Sequence, residues 1–146
     1  MTKPVPILAA LLLLAGCGGD APPSPAASPA ATVRMPAVPG RPAAGYFAIR
    51  IEGDRGALVS VSSPQAARVD MHETMQHGTM SAMRPIARLP VRDGEMLAFA
   101  PGGRHLMLYD LDRTVAAGGS IRLVLRFERG EPVTLEARLV PTGGDV

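Results

Sequence analysis

Residues 120–140 limit the choice of fold more than any other part of this chain. Apolar side chains recur there at every second position: Ile121, Leu123, Leu125 and Phe127, then Val133, Leu135, Ala137 and Leu139. Between them lie Arg122, Val124, Arg126 and Glu128, then Thr134, Glu136 and Arg138. A period of two belongs to a pleated strand, whose successive side chains point to opposite faces. Two such runs joined through Gly130-Glu131 predict an antiparallel hairpin with one face on a core and one in water. Weaker versions of the pattern predict strands near residues 45–51, 57–62, 67–73, 80–86, 96–100 and 105–109. Turn-forming residues separate them, including Gly53-Asp54-Arg55-Gly56, Ser63-Pro64, Gln76-His77-Gly78, Asp93-Gly94, Pro101-Gly102-Gly103 and Gly118-Gly119. No segment keeps a helical period for three turns, apart from one short turn at residues 111–115. The expectation is an all-β sandwich. With no tryptophan and 3% aromatic residues, its core must be Val, Leu, Ile, Ala and Met.

Within this frame, His72, Met83, His105 and Met107 read His-x10-Met-x21-His-x-Met. Only three histidines exist in the chain, and two fall here beside two thioethers. Imidazole plus thioether, without thiolate or carboxylate, suits Cu(I), because soft sulfur prefers a soft, polarisable ion to Zn(II), Mg(II) or Ca(II). If the run His105-Leu106-Met107-Leu108-Tyr109 is a strand, His105 and Met107 project from one face. An isolated His-x-Met pair is more often a satisfied histidine and a core methionine. Two further donors at a distance favour ligation. Met71, next to His72, should face the other way and join the core. A helical stripe through Met71, Met75, Met80 and Met83 is opposed by Gly78 and Pro85. A hairpin there would bring His72 and Met83 to one rim.

The surrounding residues resemble those of the periplasmic PCuAC-type copper chaperones. The resemblance rests on the four spaced donors, on Ala44-Gly45-Tyr46-Phe47, Met71-His72-Glu73 and Met83-Arg84-Pro85, and on Pro101-Gly102-Gly103-Arg104 before His105. It covers residues 32–141. It implies a cupredoxin-like Greek-key β-sandwich or barrel that binds Cu(I). It also implies delivery of copper to cytochrome oxidase subunit II, or another copper-assembly protein, for the copper-A centre. Arg104 departs from the pattern, since an uncharged or aromatic residue is expected there. A fixed cation beside a cationic metal weakens binding unless it points away. The ending Pro141-Thr142-Gly143-Gly144-Asp145-Val146 lacks the His/Met-rich tail of some relatives.

The N-terminus reads as an address. Lys3 precedes an apolar run over residues 7–15, far short of the roughly 20 residues that span a bilayer, so residues 1–16 read as a signal peptide. Leu14-Ala15-Gly16-Cys17 resembles a bacterial lipobox, and the chain's single cysteine occupies its lipidation position. Residues 17–31, rich in Ala, Pro, Ser and Gly, cannot bury enough apolar surface to offset ordering entropy and read as a disordered tether. The domain would span residues 32–141, with a tail at 142–146, on the periplasmic face of the cell envelope. The sequence leaves inner and outer membrane open.

Of the 15 basic residues one is Lys3, leaving 14 arginines against 13 acids. The arginines are scattered, without a basic stripe or interleaved aromatics, which argues against nucleic acid as a partner. No nucleophile–base–acid set can be assembled, so an enzyme is not expected. A blue-copper electron carrier needs a cysteine thiolate, and Cys17 is committed to lipid. His77, with Met75 and Met80 on the hairpin, forms a candidate auxiliary metal site. Two other readings stay in view: an envelope copper buffer without a dedicated acceptor, and a β-sandwich interaction domain whose methionines are structural.

Overall fold

Alternating runs become strands only when each apolar face finds another to bury against, and here two layers pack face to face around one core. The computed structural model describes residues 31–78 and 80–143. Its strands are β1 (Ala31–Arg34), β2 (Ala43–Arg50), β3 (Ala57–Ser62), β4 (Ala66–His77) and β5 (Met80–Pro85), then β6 (Leu89–Pro90), β7 (Met96–Phe99), β8 (Arg104–Leu111), β9 (Ser120–Phe127) and β10 (Val133–Val140). They lie in the order β5-β4-β8-β2-β1-β10-β9-β3-β6, with β7 also paired to β2. The path folds back on itself, and its inward side chains form one core.

The hairpin of β9 and β10 shows the logic. Leu123, Leu125, Leu135, Ala137 and Leu139 are buried, while Arg122, Arg126, Glu136 and Arg138 are exposed. The two strands pair antiparallel from Val133–Leu125 to Arg138–Ser120. On the neighbouring pair of β2 and β7, Phe47 lies opposite Phe99 and stacks on it with ring centroids 4.6 Å apart. Each fully buried Leu or Phe stabilises the fold by roughly 1.5–3 kcal/mol relative to an exposed one.

Two strands lie outside the sequence reading. The first, β1, has only four residues, but it pairs parallel with β10 and antiparallel with β2 and so joins the two layers. It starts at Ala31, one residue before the domain boundary drawn at Thr32. The second, β6, is a two-residue edge ending at Pro90. Neither is long enough to show a period. Residues 111–115 carry a β-turn closed by Val115 N–H on Asp112 C=O, in place of a helical turn. The signal peptide of residues 1–16, Cys17 and the tether up to residue 30 lie outside the described residues.

Candidate metal centre

The site is built on three neighbouring strands whose register follows from packing beneath them. In β8, Leu106 and Leu108 are fully buried, which turns His105, Met107 and Tyr109 to the outer face. In β4, Met71 is buried at 5% exposure, which turns Asp70 and His72 outward with them. The expectation that Met71 belongs to the core holds. Gly45 helps set this geometry: a Cβ there would come within 3.0 Å of Leu108 and 3.1 Å of Leu106. Its missing side chain lets β8 lie close against β2.

Antiparallel pairing of β4 with β8 sets three rungs on the outer face: Arg68 opposite Tyr109, Asp70 opposite Met107, and His72 opposite His105. On the other side of β4, Met83 lies opposite Thr74 in β5, diagonal to His72 and on the same face. The four predicted donors therefore share one face of three adjacent strands. The site is a sheet surface bordered by Gly103, whose carbonyl accepts from Thr74 N–H at 3.1 Å. His72 stands within β4, which runs on to His77, rather than at the strand's end.

The two imidazoles lie side by side on one rung of β4 and β8. Their ring centroids lie 6.0 Å apart, with planes 27° from parallel. A ring nitrogen's lone pair lies in the plane of its ring, so an ion shared by the two rings would sit at their nitrogen edges, about 2 Å from each donor atom. His105 Nδ1 lies 3.1 Å from Gly103 C=O. Donating its proton there, the ring keeps its Nε2 lone pair for a ligand, the arrangement by which an outer partner fixes a metal-binding histidine. His72 Nδ1 is buried with no hydrogen-bond partner among the described residues. A buried polar nitrogen left unpaired is costly, and an ion would satisfy it. Among the described residues, no three His, Cys, Asp or Glu side chains group as a metal cage. A metal held here therefore depends on the thioethers.

Those thioethers have unlike surroundings. Met107 is half-buried, with the Tyr109 hydroxyl 3.8 Å from its sulfur. Met83 is 61% exposed, on a strand whose six residues are all exposed. Arg104 faces away from the donors and lies 3.9 Å from Glu73, which also accepts from Arg84 at 2.9 Å. The three charges make a row across β5, β4 and β8 on the face opposite the histidines. Glu73 thus has arginines for partners and does not support a ligand ring. Of the candidate auxiliary residues, Met75 is half-buried and Met80 is 76% exposed. Register puts Met75 on the face opposite His72, and the side chain of His77 lies outside the described residues. Sequence reasoning missed Tyr109, Asp70 and Arg68. Their signal was available, since they continue the alternation of His105 and Met107 and of His72.

Residues 27–139 match the family model described as "Putative lipoprotein LpqE-like". A putative lipoprotein of Leifsonia xyli subsp. xyli is 36% identical over 76 residues, which are 50% of this chain and 45% of that protein. The matched part is thus less than half the length of that relative. The copper-bound PCuAC domain from PmoF2 superposes with a TM-score of 0.57 at 25% identity, over 76% of this chain and 88% of that one. The solution structure of Cu(I)-loaded DR1885 from Deinococcus radiodurans gives 0.59 at 25% identity, over 85% and 83%. The fold is the cupredoxin-like sandwich of PCuAC domains.

Proposed function

The chain belongs to the LpqE-like family, and we propose that it is a lipid-anchored Cu(I) carrier of the bacterial cell envelope. His72, Met83, His105 and Met107 would hold the ion and Cys17 would carry the lipid. The observation that carries this reading is the rung of His72 and His105, with an unsatisfied buried nitrogen on one ring and a pinned tautomer on the other. The likeness to a copper-bound and a Cu(I)-loaded PCuAC structure supports it.

The donor set fits carriage better than storage. Thioethers cannot pair into disulfides, so they survive an oxidising compartment where exposed thiolates do not. Neither methionine has a proton to lose, so only the histidines make binding sensitive to pH. Neutral donors leave the charge of Cu(I) uncompensated, which limits affinity and favours handover by ligand exchange. Met83, exposed at the edge of the sheet, is the donor an acceptor's own ligand would replace first. The acceptor we propose is cytochrome oxidase subunit II, or an assembly protein acting before it, in building the copper-A centre. A tether to the membrane would raise the carrier's effective concentration near such a partner.

The test is competition with a chelator: the protein should take one Cu(I) and bind Zn(II) far more weakly. Equal competition by Zn(II) would refute the thioether assignment. Delivery is tested by deleting the gene and limiting copper. Lost oxidase activity supports the carrier, while mere copper sensitivity supports a buffer without a dedicated acceptor.

A further inference from the structure

We propose that Tyr109 is a positioning residue for Met107, held in place by Arg68 and Asp70, and that these side chains make Met107 the fixed thioether of the site. The inference rests on the Cu(I) reading above.

The three rungs on the outer face are not equivalent. His72 and His105 form the rung that would bind the metal; Asp70 and Met107 form the next; Arg68 and Tyr109 form the one beyond. Tyr109 reaches back one rung along its own strand, and its hydroxyl donates to the Met107 sulfur at 3.8 Å. Residues two apart on a strand share a face, so this contact follows directly from the strand geometry. The tyrosine ring is itself clamped, because the Arg68 guanidinium lies 4.1 Å from its centroid, within cation–π range. Arg68 is tied in turn to Asp70 at 3.2 Å, and Asp70 faces Met107 across the strands. The contacts close a loop: Met107 to Tyr109, Tyr109 to Arg68, Arg68 to Asp70, and Asp70 back to Met107 by register.

An unbranched methionine has three rotatable bonds, and fixing it on binding costs entropy. A thioether already held by a hydrogen bond has lost part of that freedom before the ion arrives. Sulfur has two lone pairs, so one can accept from the phenol while the other stays available to a metal. Among the described residues no hydrogen bond restrains Met83, which is 61% exposed on the edge strand. The chain thus treats its two thioethers differently, and the difference traces to a tyrosine at the next outward-facing position after Met107.

The test uses the mature lipidated chain in detergent, comparing wild type with Tyr109→Phe and Arg68→Met. Tyr109→Phe keeps the ring and its stacking on Arg68 and removes only the hydroxyl. Two readouts are taken: the Met107 methyl resonance in metal-free, methyl-labelled protein, and Cu(I) affinity by chelator competition. Loss of one hydrogen bond should weaken Cu(I) binding by about threefold to tenfold. The Met107 methyl should move toward the position of a freely rotating side chain, with Met83 unchanged. Arg68→Met should move both readouts the same way by less. An unmoved Met107 methyl overturns the proposal, and a moved methyl with unchanged affinity overturns its link to the metal. If wild type takes no Cu(I), the carrier reading fails. The methyl resonance alone then decides whether Tyr109 positions Met107.

Discussion

β8 and β5 flank β4, supply one thioether each, and differ in almost every physical respect. β8 stands on Leu106 and Leu108, both fully buried, and pairs on both sides, with β4 and with β2. Its Met107 touches Tyr109, and its His105 is tied to Gly103. β5 pairs only with β4 and buries none of its six residues, and its Met83 stands largely in water. The other end of the sheet path, β6, is short and contains Pro90, which blunts it against pairing. β5 likewise ends in a proline, Pro85, but its Met83 is left exposed, and its one charge, Arg84, lies on the other face with Glu73. The contrast suggests a division of labour. A carrier must keep its ion and also give it up; a site with one fixed arm and one loose arm can do both.

The sharpest way to break the comparison is to remove the foundation of the fixed arm. Leu108→Ala should cost about 2–5 kcal/mol of stability, read as a lowered melting temperature, whereas Met83→Leu on the exposed arm should stay within about 0.5 kcal/mol. Equal costs would mean that β5 packs more firmly than its exposure implies. The next effect is on affinity. Met107→Leu should weaken Cu(I) binding by about 100-fold, at the upper end of losses seen when only an outer partner of a ligand is removed. Met83→Leu should weaken it by about tenfold and change the rate of transfer to a chelator more than Met107→Leu does. The reverse order would move the fixed arm to β5. Both changes nearly conserve volume, so a loss of stability beyond about 1.5 kcal/mol would instead make that methionine a core residue. The smallest effect lies away from both arms. Glu128 is hydrogen-bonded to Arg88, which holds its carboxyl below the ordinary value of 4.5. A depressed carboxyl stabilises above its unfolded pKa, and that contribution is lost as pH falls through the folded value. Glu128→Gln should therefore lower the melting temperature slightly at neutral pH, and the difference from wild type should vanish on acidification below 4.5. The pair is exposed, so the effect should be minor.

What the sequence made legible was whatever repeats with a period. β9 occupies the range expected of it, because an unbroken alternation marks both its ends; β3 does too, bounded by the turn residues on either side, although its alternation breaks at Ala57 and Leu58. β1 stayed hidden because four residues beside a Pro/Ala-rich stretch show no period, and its partners are more than 100 positions away in β10 and across a loop in β2. The outward face of the donors was legible from spacing, since His105 and Met107 are two apart. The rung of His72 opposite His105 was not, because register between strands 33 positions apart depends on how Met71 and Leu106 pack beneath them. Spacing alone puts Arg104 next to a metal ligand; register turns it to the other side of the sheet with Glu73. Tyr109 was read only as a strand residue, because its use depends on a contact with Met107 that spacing permits without requiring.

One Cu(I) held by two imidazoles and two thioethers on this face has a spectroscopic signature. X-ray absorption on the copper-loaded protein tests it most directly, since the edge reports oxidation state and the fine structure reports the N/S ligand count. The expected result is Cu(I) with two nitrogen and two sulfur neighbours in the wild type, and one sulfur fewer in Met83→Leu and in Met107→Leu. A spectrum with only nitrogen and oxygen neighbours, or a sulfur count that neither substitution changes, would contradict it.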